Sequence, residues 1–147
     1  MKVLLAGAYG QVGQELIRAL ATRLPLQNII CADLREPPSN VQVAVHETLN
    51  ILDRNQLNQI IEKHKVSHVY CLAALLSATG EKDPLRTEQI NMTALFNCLE
   101  LAREGKIARL FWPSSIAAFG SNTPKRTPQL TIMEPNTVYG ITKKSGE

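Results

Sequence analysis

The sequence predicts an α/β fold with a doubly wound parallel sheet, and three observations point to it. Strand-like apolar runs recur along the chain at Lys2–Ala6, Asn28–Ala32, Val41–Val45, Val66–Ala73 and Ile107–Trp112. Amphipathic segments of helical period separate most of them, the pattern of repeated β-α-β units. The first run passes into the first helix through a turn punctuated by Gly7, Gly10 and Gly13.

Composition narrows the classes of partner. The 147 residues carry 16 Lys or Arg against 13 Asp or Glu, a net charge of +3 with 44% hydrophobic residues, which is an ordinary globular balance. The longest cationic groupings are the pairs Lys125-Arg126 and Lys143-Lys144, too sparse for a nucleic-acid footprint. No apolar run approaches a bilayer span, and Met1-Lys2-Val3 leads straight into a strand without a signal-type region, so neither membrane nor export is expected and a cytoplasmic protein is. Cys31, Cys71 and Cys98 are odd in number, widely spaced and set in apolar segments. Buried thiols in a reducing compartment suit them better than disulfides or a zinc site, and no metal is expected.

In chain order, Val12, Leu16, Ala19, Leu20 and Leu24 fall at helical spacing after the first strand, and Pro25 closes that helix. Asp53 with Gln56 resembles a capping box ahead of a face made by Leu57, Ile60, Ile61 and His64. From about Pro84 to Glu104 a helix carries apolar residues over roughly two-thirds of its circumference, more than one sheet face requires. It is therefore expected to bury a second face against another helix or subunit. Asn91 sits inside that arc, where an amide must be hydrogen-bonded. Gly120 to Asn136, with three prolines, reads as a long loop that covers or serves a site, and Thr137 to Glu147 starts a last helix.

The glycines stand where a dinucleotide pyrophosphate meets backbone amides at a positive helix end. Their spacing, G-x-x-G-x-x-G, is a weak signal alone. It gains weight from the strand before it, the helix after it, and Asp33 at the end of the second strand, 20 residues beyond Gly13. A carboxylate at Asp33 can accept both adenosine ribose hydroxyls and repel a 2′-phosphate, favouring NAD over NADP, although Arg35 stands two residues on. Asp53 reads first as a helix cap and second as a residue facing adenine. Tyr139 and Lys143, four apart in the last helical segment, share one helix face. The strand ending at Trp112-Pro113-Ser114-Ser115 reaches the carboxyl edge where such sheets bind ligands. A tyrosine acting as a base near neutrality needs about 4 kcal/mol of help from its surroundings, which a neighbouring ammonium and a cationic nicotinamide ring together could supply. Ser115 would hold the substrate hydroxyl. His46, His64 and His68 lack a nucleophile partner at any recognisable motif and read as structural or surface residues.

These residues together resemble the short-chain dehydrogenase/reductase superfamily in its extended epimerase/dehydratase branch, over the whole chain. The strings GAYGQVG from Gly7, AALLSAT from Ala73, FWPSSIAAFG from Phe111 and TIMEPNTVYG from Thr131 are similar, more narrowly, to short-chain L-threonine 3-dehydrogenases. The resemblance implies a Rossmann-type fold and NAD-dependent oxidation of the L-threonine β-hydroxyl to 2-amino-3-oxobutanoate, a step of threonine catabolism. It further implies that Gly7, Gly10, Gln11 and Val12 line the pyrophosphate with Gly13 closing the turn. Asp33 would hold the ribose, Leu52 and Asp53 the adenine, and Leu72, Ala73, Ala74 and Leu75 the inner side of the cofactor. Ser77 would lie near the substrate with Ser115 and Tyr139, Asn91 would maintain the hydrogen bonds of the site, and Lys143 would contact the nicotinamide ribose. A homodimer through the helix around 84–104 is implied as well. Members of that family are about twice as long. The 147 residues are accordingly expected to form an incomplete dinucleotide-binding domain, without the last strands and the carboxyl-terminal substrate domain, and to be inactive alone. A nucleotide-sugar epimerase or dehydratase of the same superfamily, and a non-catalytic NAD-binding module, are the alternative readings.

Overall fold

A computed structural model describes residues 1–147. The chain forms two compact units, one of Met1–Ala73 with Ala94–Trp112, the other of Ala74–Thr93 with Pro113–Glu147. In the first, β1 (Val3–Ala6), β2 (Ile29–Asp33), β3 (Val45–Thr48), β4 (His68–Cys71) and β5 (Arg109–Phe111) build an all-parallel sheet in the order β3-β2-β1-β4-β5. Register is fixed by pairs such as Val3 with Ile29 and with His68. Every residue of β1 and β2 is buried, as a sheet covered on both faces requires.

The two faces are packed by alternate residues of the same strands. Leu4, Ala6, Ile30, Ala32, Val69 and Cys71 face Leu57, Ile60 and Ile61 of α2 (Arg54–His64) and Ala94, Cys98 and Leu101 of α4 (Pro84–Arg103). Val3, Leu5, Ile29 and Cys31 face Ile17 of α1 (Gln11–Ala21). From β1 the connections run one way to β2 and β3 and the other way to β4 and β5. The crevice at the carboxyl ends of β1 and β4 is therefore the switch point at which doubly wound sheets bind ligands.

Three expectations need correction. The third strand lies at Val45–Thr48, not Val41–Val45. Val41 and Val43 supply the alternation that looks like a strand, but they pack on the α1 side as loop residues, and pairing with β2 starts only at Val45. An edge strand has one neighbour, so His46, Glu47 and Thr48 can form it without an apolar pattern. The capping box is half made: Asp53 caps α2 by accepting from the Gln56 amide at 3.0 Å, while the Gln56 side chain accepts from the Asn50 amide at 2.8 Å rather than from Asp53. The last helix, α5 (Val138–Ser145), stops short of Glu147.

In α4 the apolar arc divides. Ala94, Leu95, Cys98 and Leu101 are buried, whereas Leu85, Phe96 and Leu99 are exposed. The second unit contains α3 (Ser77–Gly80), the first half of α4, a 3-10 turn at Ile116–Ala118, an irregular stretch from there to α5, and α5 itself. Thr137 caps α5 by accepting from the Gly140 amide at 3.0 Å, and the Glu81 carboxylate accepts from the Val138 amide at 2.7 Å. No helix is long and apolar enough to cross a membrane.

Candidate functional site

The glycine turn is held by backbone. Gly7 adopts φ +87°, a conformation that side chains rarely take, and a Cβ there would stand 2.6 Å from the Ala73 nitrogen. Its amide and that of Ala8 both donate to the Ala32 carbonyl, at 2.8 and 3.2 Å, tying the turn to β2. At Gly13 a Cβ would fall 2.4 Å from the Ala8 carbonyl oxygen, so α1 can lie this close to the turn only with glycine there. Gly10 is different. Its φ is −70°, and a Cβ would meet nothing nearer than the Gly7 oxygen at 3.5 Å, an ordinary contact. The protein itself leaves room for a side chain at Gly10, directly at the start of α1. That helix has no acidic residue in its first turn and no side-chain cap. The amides of Gln11, Val12 and Gly13 therefore lack an intrahelical partner and sit at the positive end of the helix dipole. This cradle, which a Cβ at Gly10 would fill, fits a dinucleotide pyrophosphate.

Asp33 ends β2 beside the turn. It is 7% exposed, and its carboxylate accepts from the Tyr9 amide at 3.0 Å, the Arg35 amide at 3.1 Å, and the Arg35 Nε and Nη2, both at 3.0 Å. Burial pushes the carboxyl up, but the guanidinium and the two amides outweigh it and hold Asp33 below the usual carboxylate range. Tyr9, which the sequence did not single out, joins the turn to Asp33 through its amide and to the edge strand through its hydroxyl, 2.8 Å from His46 Nδ1. The only signal for it was its place inside the glycine turn. Leu72 donates its amide to the Ala6 carbonyl at 2.8 Å, and Ala73 abuts Gly7, which puts both at the switch point. Leu52 packs on the core and donates its amide to Asn50 at 3.1 Å, and Asp53 is the cap of α2.

In the second unit the candidate catalytic residues converge on α5. Lys143 is 3% exposed, and its ammonium donates to the Pro113 carbonyl at 2.6 Å and lies 5.6 Å from the centroid of the Tyr139 ring. Ser115 caps the 3-10 turn, its Oγ accepting from the Ala117 amide at 3.2 Å. A Cβ on Gly140 would come within 2.1 Å of the Ala117 oxygen, so α5 rests on that turn. Asn91, 1% exposed, accepts from the Leu75 amide at 2.8 Å and donates to the Leu75 carbonyl at 3.2 Å and to Thr142 Oγ1 at 3.1 Å. Both polar atoms of its side chain are thus committed to protein, to Leu75 and Thr142. Thr142 passes the contact on by donating to the Tyr139 carbonyl at 2.7 Å. Sequence reasoning missed Thr142, although its spacing, three residues after Tyr139, put it near the same face. Ala74 precedes the clamped Leu75, and Ser77 opens α3. A cavity of about 460 Å³, lined by Ile116, Phe119, Thr123 and Thr127 among others, follows directly on Ser115. No group of His, Cys, Asp and Glu could hold a metal ion.

Comparison with known families matches residues 3–147 to the NAD dependent epimerase/dehydratase family. The chain belongs to that family. A GalE-like L-threonine dehydrogenase from Cupriavidus necator superposes with a TM-score of 0.94 at 52% identity, covering 99% of this chain and 47% of that one. The L-threonine dehydrogenase of Clostridium difficile gives 0.92 at 42% identity, covering 99% and 46%. Among curated proteins, an uncharacterized epimerase/dehydratase of Staphylococcus epidermidis is 44% identical over 99% of this chain and 46% of its own length. The chain thus spans about half the length of the relatives it matches. The family is described as NAD dependent.

Proposed function

We propose that this chain is the NAD-binding part of an L-threonine 3-dehydrogenase. The observation that carries the reading is its 52% identity to such an enzyme over 99% of its length, a stretch that includes Ser115, Tyr139 and Lys143. Gly7, Gly10, Gln11, Val12 and Gly13 would hold the pyrophosphate and Asp33 the ribose, with Leu52 and Asp53 at the adenine. Leu72, Ala73, Ala74 and Leu75 would flank the inner side of the cofactor. When bound, the nicotinamide supplies a hydride acceptor. The chain's own residues do the proton work. Ser115 would orient the β-hydroxyl of threonine, with Ser77 near the rest of the substrate. Tyr139 would remove the hydroxyl proton as the β-carbon gives up its hydride to that acceptor, leaving 2-amino-3-oxobutanoate. Lys143, a buried ammonium 5.6 Å from the centroid of the Tyr139 ring, would contact the nicotinamide ribose. Asn91 and Thr142 keep that helix turn in place. The exposed Leu85, Phe96 and Leu99 on α4 support a homodimer through that helix. Three buried free thiols suit a reducing, cytoplasmic setting.

Threonine-dependent reduction of NAD by the whole protein tests the reading. Tyr139→Phe should abolish turnover and leave NAD affinity nearly unchanged. Turnover of a nucleotide sugar in place of threonine would reject the assignment, and a matching loss of NAD binding would make Tyr139 structural.

A further inference from the structure

A carboxylate offers about four acceptor directions, and at Asp33 four N–H groups fill them. The donors are of two kinds. The amides of Tyr9 and Arg35 are fixed by the glycine turn and by the end of β2. The other two belong to a guanidinium on a side chain that is 63% exposed, against 7% for Asp33. A vicinal diol donates two O–H bonds, which is the number of acceptor directions a departing guanidinium would vacate. Asp33 closes β2 at the carboxyl edge of the sheet, where ligands of this fold bind. Arg35 is therefore in the way of the ribose. It is also a cation in direct contact with the carboxylate that the ribose would approach.

We infer that Arg35 is a displaceable counter-ion of Asp33: it competes with the adenosine ribose for the carboxylate and, once displaced, receives a 2′-phosphate, so that it narrows the discrimination between NAD and NADP. The inference rests on the proposed binding of a dinucleotide at this turn. NAD must open the Arg35 pair to reach Asp33, which weakens its binding. NADP brings a phosphate that Asp33 repels, and the freed guanidinium offsets that repulsion with a forked, charge-assisted contact.

Arg35→Met keeps an exposed stem and removes the donors, so the affinities for the two dinucleotides should move in opposite directions. Calorimetric titration of the 147-residue chain should show NAD binding tightened about threefold, the worth of a partly exposed ion pair, and NADP binding weakened about tenfold. Arg35→Lys, which keeps the charge without the fork, should fall between wild type and Arg35→Met for NADP. In the wild-type chain, the Arg35 Nε–H resonance should move when NAD is added. Equal NAD affinity in wild type and Arg35→Met, a parallel loss for both dinucleotides, or an unmoved Nε–H signal at saturating NAD would overturn the inference while leaving dinucleotide binding intact. Failure of the wild-type chain to bind either dinucleotide would instead overturn the underlying reading of the glycine turn.

Discussion

The turn between β1 and α1 and the short helix bearing Tyr139 both place functional groups at fixed spacing, but opposite means hold them. Around the turn the restraint is backbone. Two amides reach the Ala32 carbonyl, and Gly7 and Gly13 sit so close to neighbouring main chain that a single added carbon would collide. Around α5 the restraint is a few side chains: Thr137 and Glu81 at its start, Asn91 and Thr142 in its middle, and Lys143 on the Pro113 carbonyl. A helix of eight residues is marginal without such support. The difference suits the two roles proposed for them. A pyrophosphate cradle would need amides aimed at one place, which rigid backbone supplies, whereas the proposed proton transfer would need a phenol and a buried ammonium held side by side, which side-chain contacts supply.

Within the turn, Gly13 and Gly10 allow the sharpest test of this contrast. Gly13→Ala should lower stability by about 3 kcal/mol, through overpacking against main chain that cannot move aside. Gly10→Asp should leave stability unchanged or raise it by up to about 1 kcal/mol, since aspartate is a good cap at a positive helix end. NAD affinity should nevertheless fall at least tenfold in Gly10→Asp. Urea unfolding and calorimetry of the two variants would check both effects, and equal destabilisation would erase the distinction between a packing glycine and a ligand glycine.

For α5 the matching experiment is Asn91→Leu, which leaves the Leu75 amide and carbonyl without their side-chain partner. A cost of about 2 to 3 kcal/mol is expected from those unsatisfied groups, measured by urea unfolding, with disorder spreading through α5. Circular dichroism and amide exchange at Tyr139 to Lys143 would show whether side chains support this helix as described.

A smaller effect concerns pH. Because the folded state holds the Asp33 carboxyl below its unfolded value near ~3.9, its contribution to stability is present above that value. It is lost as pH falls through the folded value. The urea midpoint should therefore drop through this acid window, and Asp33→Asn should flatten that limb. An unchanged acid limb would remove Asp33 from the account. The smallest effect is a null one: Cys31, Cys71 and Cys98 are buried, and burial pushes the Cys31 thiol up to about 12. Thiol reagents should modify none of the three at neutral pH until the chain is unfolded.

The fold was legible because β1, β2 and the glycine turn state their geometry locally, in continuous apolar runs and in residues without side chains. Val45–Thr48 was not, since the ladder to β2 supports that strand and its own pattern is polar. At the candidate site, the place of Asp33 at the end of β2 and the shared helix of Tyr139 and Lys143 could be read from spacing. The engagement of Asp33 by Arg35 could not, because a sequence gives a charge but not the direction it faces. Thr142 escaped for a similar reason: its role depends on Asn91, 51 residues away, and only the folded chain brings the two to 3.1 Å.

The most direct test of the central claim is an amide-resolved titration of this chain with NAD. The account predicts the largest shifts at Gly10, Gln11, Val12 and Gly13 and at the Asp33 carboxyl carbon, and their disappearance in Gly10→Asp. No shift at these positions, or the same shifts in Gly10→Asp, would contradict it.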